Sequence, residues 1–108
     1  MNVANLHNAT AWFQVLQTTE RSQTAVMTLS AGGQSSEEPG IHPHSDQILF
    51  VDEGHVIAEI AGQKRQLHPG DICVVPAGTR HRFENAGQER AVTFNVYTPP
   101  AYPANERG

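Results

Sequence analysis

Apolar and polar residues alternate with a period of two along most of this chain, which is the pattern of half-buried β-strands. In one such segment Ala25, Met27 and Leu29 alternate with Thr24, Val26 and Thr28. No segment repeats apolar residues at the helical spacing. The alternation and the apolar runs predict strands at 11–17, 24–30, 47–51, 56–60 and 91–97. The chain is therefore predicted to be almost entirely β.

Glycine and proline punctuate the chain rather than cluster in it. The 9 glycines and 7 prolines are spread between the predicted strands as turn residues, and a loop rich in Gly, Ser and Glu runs from Ala31 to Ile41. Many short strands joined by turns favour a sandwich or barrel. At 108 residues the chain is one domain. The tail from residue 98 to 108 contains Pro99, Pro100 and Pro103, and we predict that it is extended.

The charge and cysteine content narrow the possible partners and compartment. The net charge is −4 and no run of Lys or Arg forms a basic stripe, so nucleic acid and anionic membrane surfaces are poor partners. No apolar stretch is long enough to cross a bilayer, and residues at the N-terminus lack the charged segment and apolar run expected of a secretory leader. A single cysteine, Cys73, excludes an internal disulfide and is expected to pack as a small apolar side chain. These features predict a soluble, cytoplasmic protein.

The stretch from Gly70 to Asn85 carries the strongest chemical signal. Residues 72–75 form a short apolar run, as expected of a buried strand, and Pro76-Ala77-Gly78 then favours a turn. In the following strand, His81, Phe83 and Asn85 share one face because side chains alternate. We predict that this face is a site and that Phe83 lines its pocket.

A pair of histidines, His42 and His44, lies upstream of this stretch, and one proline separates them. On one strand this spacing places both imidazoles on the same side, close enough to share an ion. With His81 facing them across a barrel, the three side chains form a candidate metal site. The remaining histidines at 7, 55 and 68 are predicted to be surface or turn residues.

The downstream motif resembles the second signature motif of the cupin family. Its spacing is Gly70, five residues, Pro76, one residue, Gly78, two residues, His81, three residues and Asn85. The region from about Ile41 to Tyr97 resembles a small single-domain cupin. The resemblance implies an antiparallel double-stranded β-helix, or jelly-roll barrel, that occupies residues 1–108 and has its core motifs at 42–54 and 70–85.

The upstream motif departs from the first cupin motif in its spacing and in one ligand. That motif has a glutamate seven positions before its last glycine, but seven positions before Gly54 stands Gln47, with only two residues between it and His44. The resemblance implies a metal held by His42, His44, His81 and Gln47. Strand parity favours Asp46 instead, so Asp46 stays the alternative fourth ligand. A neutral amide would bind the ion less tightly than a carboxylate and leave it the stronger Lewis acid.

The function implied is a metalloenzyme acting on a small oxygen-rich organic molecule. The expected cofactor is one divalent ion, which can be iron, manganese, nickel or zinc. Iron would suit dioxygenase chemistry, and zinc or manganese would suit an isomerase or cyclase of the Lewis-acid type. The alternative is a non-catalytic small-molecule-binding cupin. No residue stands out as a general base, with Tyr97 and Glu59 the only candidates. By analogy with small cupins we expect a homodimer, to which Trp12 and Phe13 can contribute.

Overall fold

The fold is built almost wholly from short antiparallel strands. The computed structural model describes all residues, Met1–Gly108. A short 3-10 turn at Leu6–Asn8 precedes the strands. The strands are β1 (Phe13–Thr18), β2 (Gln23–Leu29), β3 (Asp46–Glu53), β4 (Val56–Ile60), β5 (Gln63–Leu67), β6 (Ile72–Val75), β7 (His81–Glu84) and β8 (Ala91–Thr98). No helix in the structure has the length and apolar character needed to cross a bilayer.

The strands form two sheets whose inner faces enclose the core. One sheet has five strands in the order β1-β2-β8-β3-β6, and the other has three in the order β5-β4-β7. All pairs are antiparallel. Alternate residues of both sheets supply one cluster of buried apolar side chains, such as Leu49 from β3 and Phe83 from β7. The predicted all-β jelly roll is confirmed, because the alternation seen in the sequence is what two facing sheets require.

Strand β5 is the element that the alternation did not reveal. Four of its five residues, from Gln63 to Gln66, are exposed, and only Leu67 is buried. The strand forms because it pairs residue by residue with β4, in a register where Leu67 lies opposite Val56. An edge strand with one buried side chain carries no period-two signal.

The loop from Ser30 to Ile41 runs back along the edge of β7. Isolated bridges join Gln34 to Glu84 and Gly40 to His81. The hydroxyl of Ser35 also accepts a hydrogen bond from the Phe83 amide at 2.9 Å. These contacts place the loop beside the residues that carry the downstream motif.

The carboxyl-terminal tail is not simply extended, which corrects the prediction made for it. The amide of Glu106 donates to the carbonyl of Pro103, so the chain turns there. It then runs back along β1, where Val15 N donates to Glu106 O at 3.0 Å and Gly108 N donates to Phe13 O at 2.8 Å. Proline fixes φ but not the path of its neighbours, and the free edge of β1 offered unpaired backbone groups.

Candidate functional site

A cavity of about 310 Å³ lies between the two sheets and collects most of the predicted site residues. His42, Gln47, His81 and Phe83 all line it. Its other lining residues are Trp12, Phe13, Met27, Ser35, Ser36, Gly40, Ile41, Tyr97, Tyr102, Glu106 and Gly108. The cavity is therefore lined by residues from both sheets, including His81 of β7, from the loop before β3 and from the tail.

His44 does not join the other predicted ligands. The backbone bends at Pro43 and His44, and β3 begins only at Asp46. The expectation that His42 and His44 share the face of one strand is therefore wrong, because side-chain parity holds only within a strand. His44 is exposed and does not line the cavity. Accordingly, no group of three or more His, Cys, Asp or Glu side chains is placed to hold a metal ion.

The same bend decides between Gln47 and Asp46. Gln47 is 3% exposed and lines the cavity. Asp46 is exposed, and its Oδ1 accepts a hydrogen bond from the Ala77 amide at 2.9 Å, bracing the Pro-Gly turn instead. Because β3 starts after the bend, the pairing of β3 in its sheet decides which of its side chains face inward, and the direction of the preceding histidines does not. Of the two candidates, Gln47 is the one on the cavity side.

A directed chain of hydrogen bonds fixes how the Gln47 amide is turned. The carbonyl of Met27 can only accept, so the Thr93 hydroxyl donates to it at 3.0 Å. Thr93 Oγ1 then accepts from Asn95 Nδ2 at 3.0 Å, which leaves Asn95 Oδ1 to accept from Gln47 Nε2 at 2.9 Å. The remaining atom, Gln47 Oε1, is buried and has no hydrogen-bond partner in the protein.

His81 is held in a defined tautomer. Its Nδ1 lies 2.9 Å from the carbonyl oxygen of Thr79. Since a carbonyl only accepts, Nδ1 carries the hydrogen, and in the neutral ring Nε2 keeps its lone pair. A backbone carbonyl on the far nitrogen is also the usual way in which a metal-binding imidazole is oriented.

His42 lies beside His81 and is neutral at physiological pH. The two ring centroids are 5.0 Å apart. Burial, and next the neighbouring His81, lower the pKa of His42 to about 4. With metal–nitrogen bonds of about 2.0–2.1 Å, two imidazoles at such a separation can reach one ion. His42 is therefore available as a neutral nitrogen ligand beside the Nε2 atom of His81.

Two tyrosines form the wall next to His42. The His42 ring meets Tyr97 and Tyr102 edge-on, with centroid distances of 5.2 and 5.5 Å. Burial, and next the other tyrosine, raise the pKa of Tyr97 well above its ordinary value. Burial likewise raises the pKa of Tyr102. Both phenols therefore stay protonated, and the two side chains hydrogen-bond to each other.

Three of the four ligands predicted from the sequence line the cavity and could hold a divalent metal ion, and only His44 lies outside the lining. Two imidazole nitrogens and one unpartnered amide oxygen are all neutral electron-pair donors of the kind that transition metals accept. Three protein ligands would leave further coordination positions for a small molecule, as in catalytic metal sites. The set is His42, His81 and Gln47.

Several cavity residues were not assigned from the sequence. Tyr102 and Glu106 come from the tail, and only its return along β1 brings them to the cavity. Trp12 and Phe13 were expected to be available to a partner subunit; Phe13 is instead buried in this chain's own core at 6% exposed, while Trp12 lines the cavity and stays 45% exposed. Their aromatic character was the one available signal, and it did not indicate which surface they would meet.

The residues set aside from the sequence lie away from the cavity. His7 and His68 are on the surface, 3.6 Å from the carboxylates of Asp52 and Asp71. Cys73 is partly buried, and burial raises the pKa of its thiol to about 11. Such a thiol is inert at neutral pH, as expected of a packing residue.

Comparison with known proteins agrees with the fold. A family model described as a cupin domain matches residues 25–97. The protein YrkC of Bacillus subtilis is 31% identical over 111 residues, which cover 94% of this chain and 59% of YrkC. TcmJ, a tetracenomycin polyketide synthase protein of Streptomyces glaucescens, is 35% identical over 68 residues, which cover 62% of this chain and 44% of TcmJ. The chain thus spans about half the length of these relatives.

A solved structure extends the likeness to nearly the whole chain. The protein BH2720 of Bacillus halodurans superposes with a TM-score of 0.87 at 25% identity. The match covers 94% of this chain and 80% of BH2720. The similarity therefore includes the segments outside the family model, before residue 25 and after residue 97.

Proposed function

This chain belongs to the cupin family, and we propose that it binds one divalent metal ion through His42, His81 and Gln47 to activate a small oxygen-rich organic molecule. The observation that carries this proposal is the buried Oε1 of Gln47, which has no partner in a cavity that it shares with two neighbouring imidazoles. A buried carbonyl oxygen without a partner costs about 1–3 kcal/mol.

A single occupant that relieved this cost and also engaged both imidazoles would have to accept electron pairs from three donors at once. Neutral His42 offers one nitrogen lone pair, His81 offers Nε2, and Gln47 offers Oε1. A water molecule has only two hydrogens to donate, whereas a metal ion accepts all three lone pairs. A metal ion is therefore the occupant that satisfies the whole set.

The chemistry follows from the neutrality of the ligands. A bound divalent ion would supply Lewis acidity, polarising a ligand oxygen and favouring the enolate form of a carbonyl compound. Tyr97 and Tyr102, which hydrogen-bond to each other, line the same cavity and form its wall beside His42. We assign the reaction to the isomerisation, cyclisation or aldol class. The relative TcmJ, a polyketide synthase protein, supports a substrate rich in carbonyl groups.

A non-catalytic small-molecule-binding cupin is the second candidate. The cavity lining supports it, since Glu106 is the only carboxylate there and no other strong base accompanies the histidines. Glu59, considered as a base from the sequence, instead forms an ion pair with Arg82 at 3.0 Å and does not line the cavity. Binding alone requires nothing beyond the metal and the aromatic wall.

Metal uptake followed by proton exchange tests the proposal. Chelator-treated protein is titrated with zinc, manganese, nickel and ferrous iron, and we expect one equivalent to bind. The loaded protein is then mixed with acetylacetone in D₂O, and loss of the central C–H signal is followed by NMR. Uptake with faster exchange supports Lewis-acid catalysis, while uptake without exchange or oxygen consumption favours the binding protein. Substrate-dependent oxygen consumption would indicate the dioxygenase type, and failure to bind any metal overturns the proposal.

We also propose that the partner of this chain is a second copy of itself. The outer face of β3 and β6 exposes Ile48, Ile72 and Val74 at 36%, 64% and 57%. The register places Ile48 opposite Val74 and Phe50 opposite Ile72, so the side chains form one continuous apolar stripe. A two-fold contact would cover the stripe with its own copy.

A further inference from the structure

Aromatic side chains form a continuous row from the histidines to the surface. The ring of His42 lies 5.5 Å from that of Tyr102, which lies 4.7 Å from Phe13, which in turn lies 6.0 Å from Trp12. Phe13 is buried, whereas Trp12 is 45% exposed at the outer end. The row leads from the proposed metal ligands to the solvent along one wall of the cavity.

The part of the cavity beside this row carries negative charge and no positive charge from lysine or arginine. No lysine or arginine is among the residues that line the cavity. The only formally charged side chain there is the carboxylate of Glu106, which the returning tail places near Tyr102 and Phe13. A phosphate or carboxylate in the cavity at this end would find no lysine or arginine in the lining and would meet the like charge of Glu106.

We infer that the ligand carries a flat, uncharged ring at the end remote from His42 and His81, and that the site selects against ligands with an anionic group at that end. This inference rests on the proposed function, because it assumes that the other end holds the oxygens bound at the histidines. Planar rings stack or meet edge-to-face with aromatic side chains, whereas phosphorylated sugars require donors that this wall lacks. The substrate class is therefore an aryl or polycyclic enolisable ketone.

Matched 1,3-diketones test the inference. Acetylacetone has the chelating head alone, benzoylacetone adds an uncharged phenyl ring, and 4-carboxybenzoylacetone adds one negative charge to that ring. Affinity for metal-loaded protein is measured by calorimetry and by quenching of Trp12, the single tryptophan. We expect benzoylacetone to bind at least roughly tenfold more tightly than acetylacetone, given the value of a buried aromatic ring. We expect the carboxylate to bind several-fold more weakly than benzoylacetone.

A variant of Glu106 and a matched control test whether this residue causes the weaker binding of the carboxylated diketone. Glu106→Gln should reduce the difference in affinity between benzoylacetone and its carboxylate by roughly threefold, as expected when one nearby charge is removed from a hydrated site. Glu20→Gln makes the same change of net charge on an exposed turn away from the cavity and should leave the difference intact.

The outcomes separate this inference from the proposed function. If all three diketones bind equally, the metal site stands and the selection for an uncharged ring is wrong. If the carboxylate binds as tightly as benzoylacetone, or if Glu106→Gln leaves the difference as it was, selection against negative charge is wrong. If none of the three binds to protein that has taken up metal, the proposed function and this inference both fail.

Discussion

The amides of Gln47 and Asn95 meet through one hydrogen bond, from Gln47 Nε2 to Asn95 Oδ1 at 2.9 Å. Both side chains are buried, and Asn95 is itself fixed by its bond to Thr93. The contact therefore orients Gln47 and leaves its oxygen free in a cavity lined by two histidines. Asn95, which does not line the cavity itself, thus determines that Gln47 turns its oxygen and not its nitrogen toward the cavity.

Replacement of Gln47 by glutamate should lower the stability of the metal-free protein and raise its affinity for metal. In metal-free protein, Gln47→Glu removes the donor to Asn95 Oδ1 and buries a carboxylate, and we expect a loss of about 1–3 kcal/mol in the free energy of unfolding. One equivalent of zinc should reverse that loss, because the new ligand is anionic. Urea unfolding with and without zinc measures both effects. Gln63→Glu on exposed β5 is the matched control, and equal behaviour of the two variants would contradict the assignment.

Metal uptake by the histidine variants should separate His44 from the other two. His42→Ala and His81→Ala should each lose stoichiometric metal, since each removes one donor from the cavity. His44→Ala should keep it, because His44 is exposed and lies outside the lining. Elemental analysis after dialysis against one equivalent of zinc gives the comparison. Loss of metal from His44→Ala would restore the ligand set expected from the spacing.

The stability of metal-free protein should fall as the pH decreases below 6.5. The pKa of His42 is about 4 in the folded state and 6.5 in the unfolded chain, so between these values the unfolded state binds the extra proton. This contribution is fully present above pH 6.5 and is lost progressively toward pH 4. Urea unfolding across this range should show the slope, and His42→Gln should reduce it.

The pKa of His42 can also be measured directly. NMR titration of its ring protons should give a pKa near 4. In His81→Gln the pKa should rise only part of the way to 6.5, because burial is the larger cause and the charge of His81 the smaller. A pKa near 6.5 in the wild-type protein would mean that His42 is solvated.

Gln23 should hold the tail in place. Its Oε1 accepts from the amides of Ala101 and Tyr102 at 3.2 and 3.0 Å, and its Nε2 donates to Tyr102 O at 2.9 Å. Gln23→Leu should cost at least about 1–3 kcal/mol and speed amide exchange over residues 101–106, where Tyr102 and Glu106 line the cavity. Gln66→Leu on exposed β5 is the control. Unchanged exchange in Gln23→Leu would mean that the backbone pairing with β1 alone holds the tail.

Charges on the outer apolar stripe should separate the proposed dimer. We expect light scattering after size exclusion to give twice the chain mass for the wild type. Ile72→Lys combined with Val74→Lys should give the monomer mass, with the circular dichroism unchanged because both residues are exposed. Gln63→Lys with Gln66→Lys adds the same charge to the other sheet and should leave the dimer intact. A monomeric wild type would overturn the proposed self-association.

The sequence determined the fold class, and the reason is the local character of its signals. Alternation through β2 and the turn at Pro76–Gly78 follow from neighbouring residues alone, and the structure has a strand and a turn at these places. The spacing from Gly70 to Asn85 likewise identified His81 and Phe83, which both line the cavity. The motif occupies one short stretch of chain, from β6 through the turn to β7, so its spacing reflects local geometry even though the two strands belong to different sheets.

Only the tertiary structure decided which side chains meet in the cavity. Parity predicted that His42 and His44 act together, but the bend at Pro43 separated them and turned Gln47 inward in place of Asp46. Tyr102 and Glu106 reached the cavity because the tail paired with the free edge of β1. Bends between strands and long-range pairing depend on the backbone groups of distant segments. Residue spacing contains no information about those groups, so the composition of the site was fixed by the packed chain.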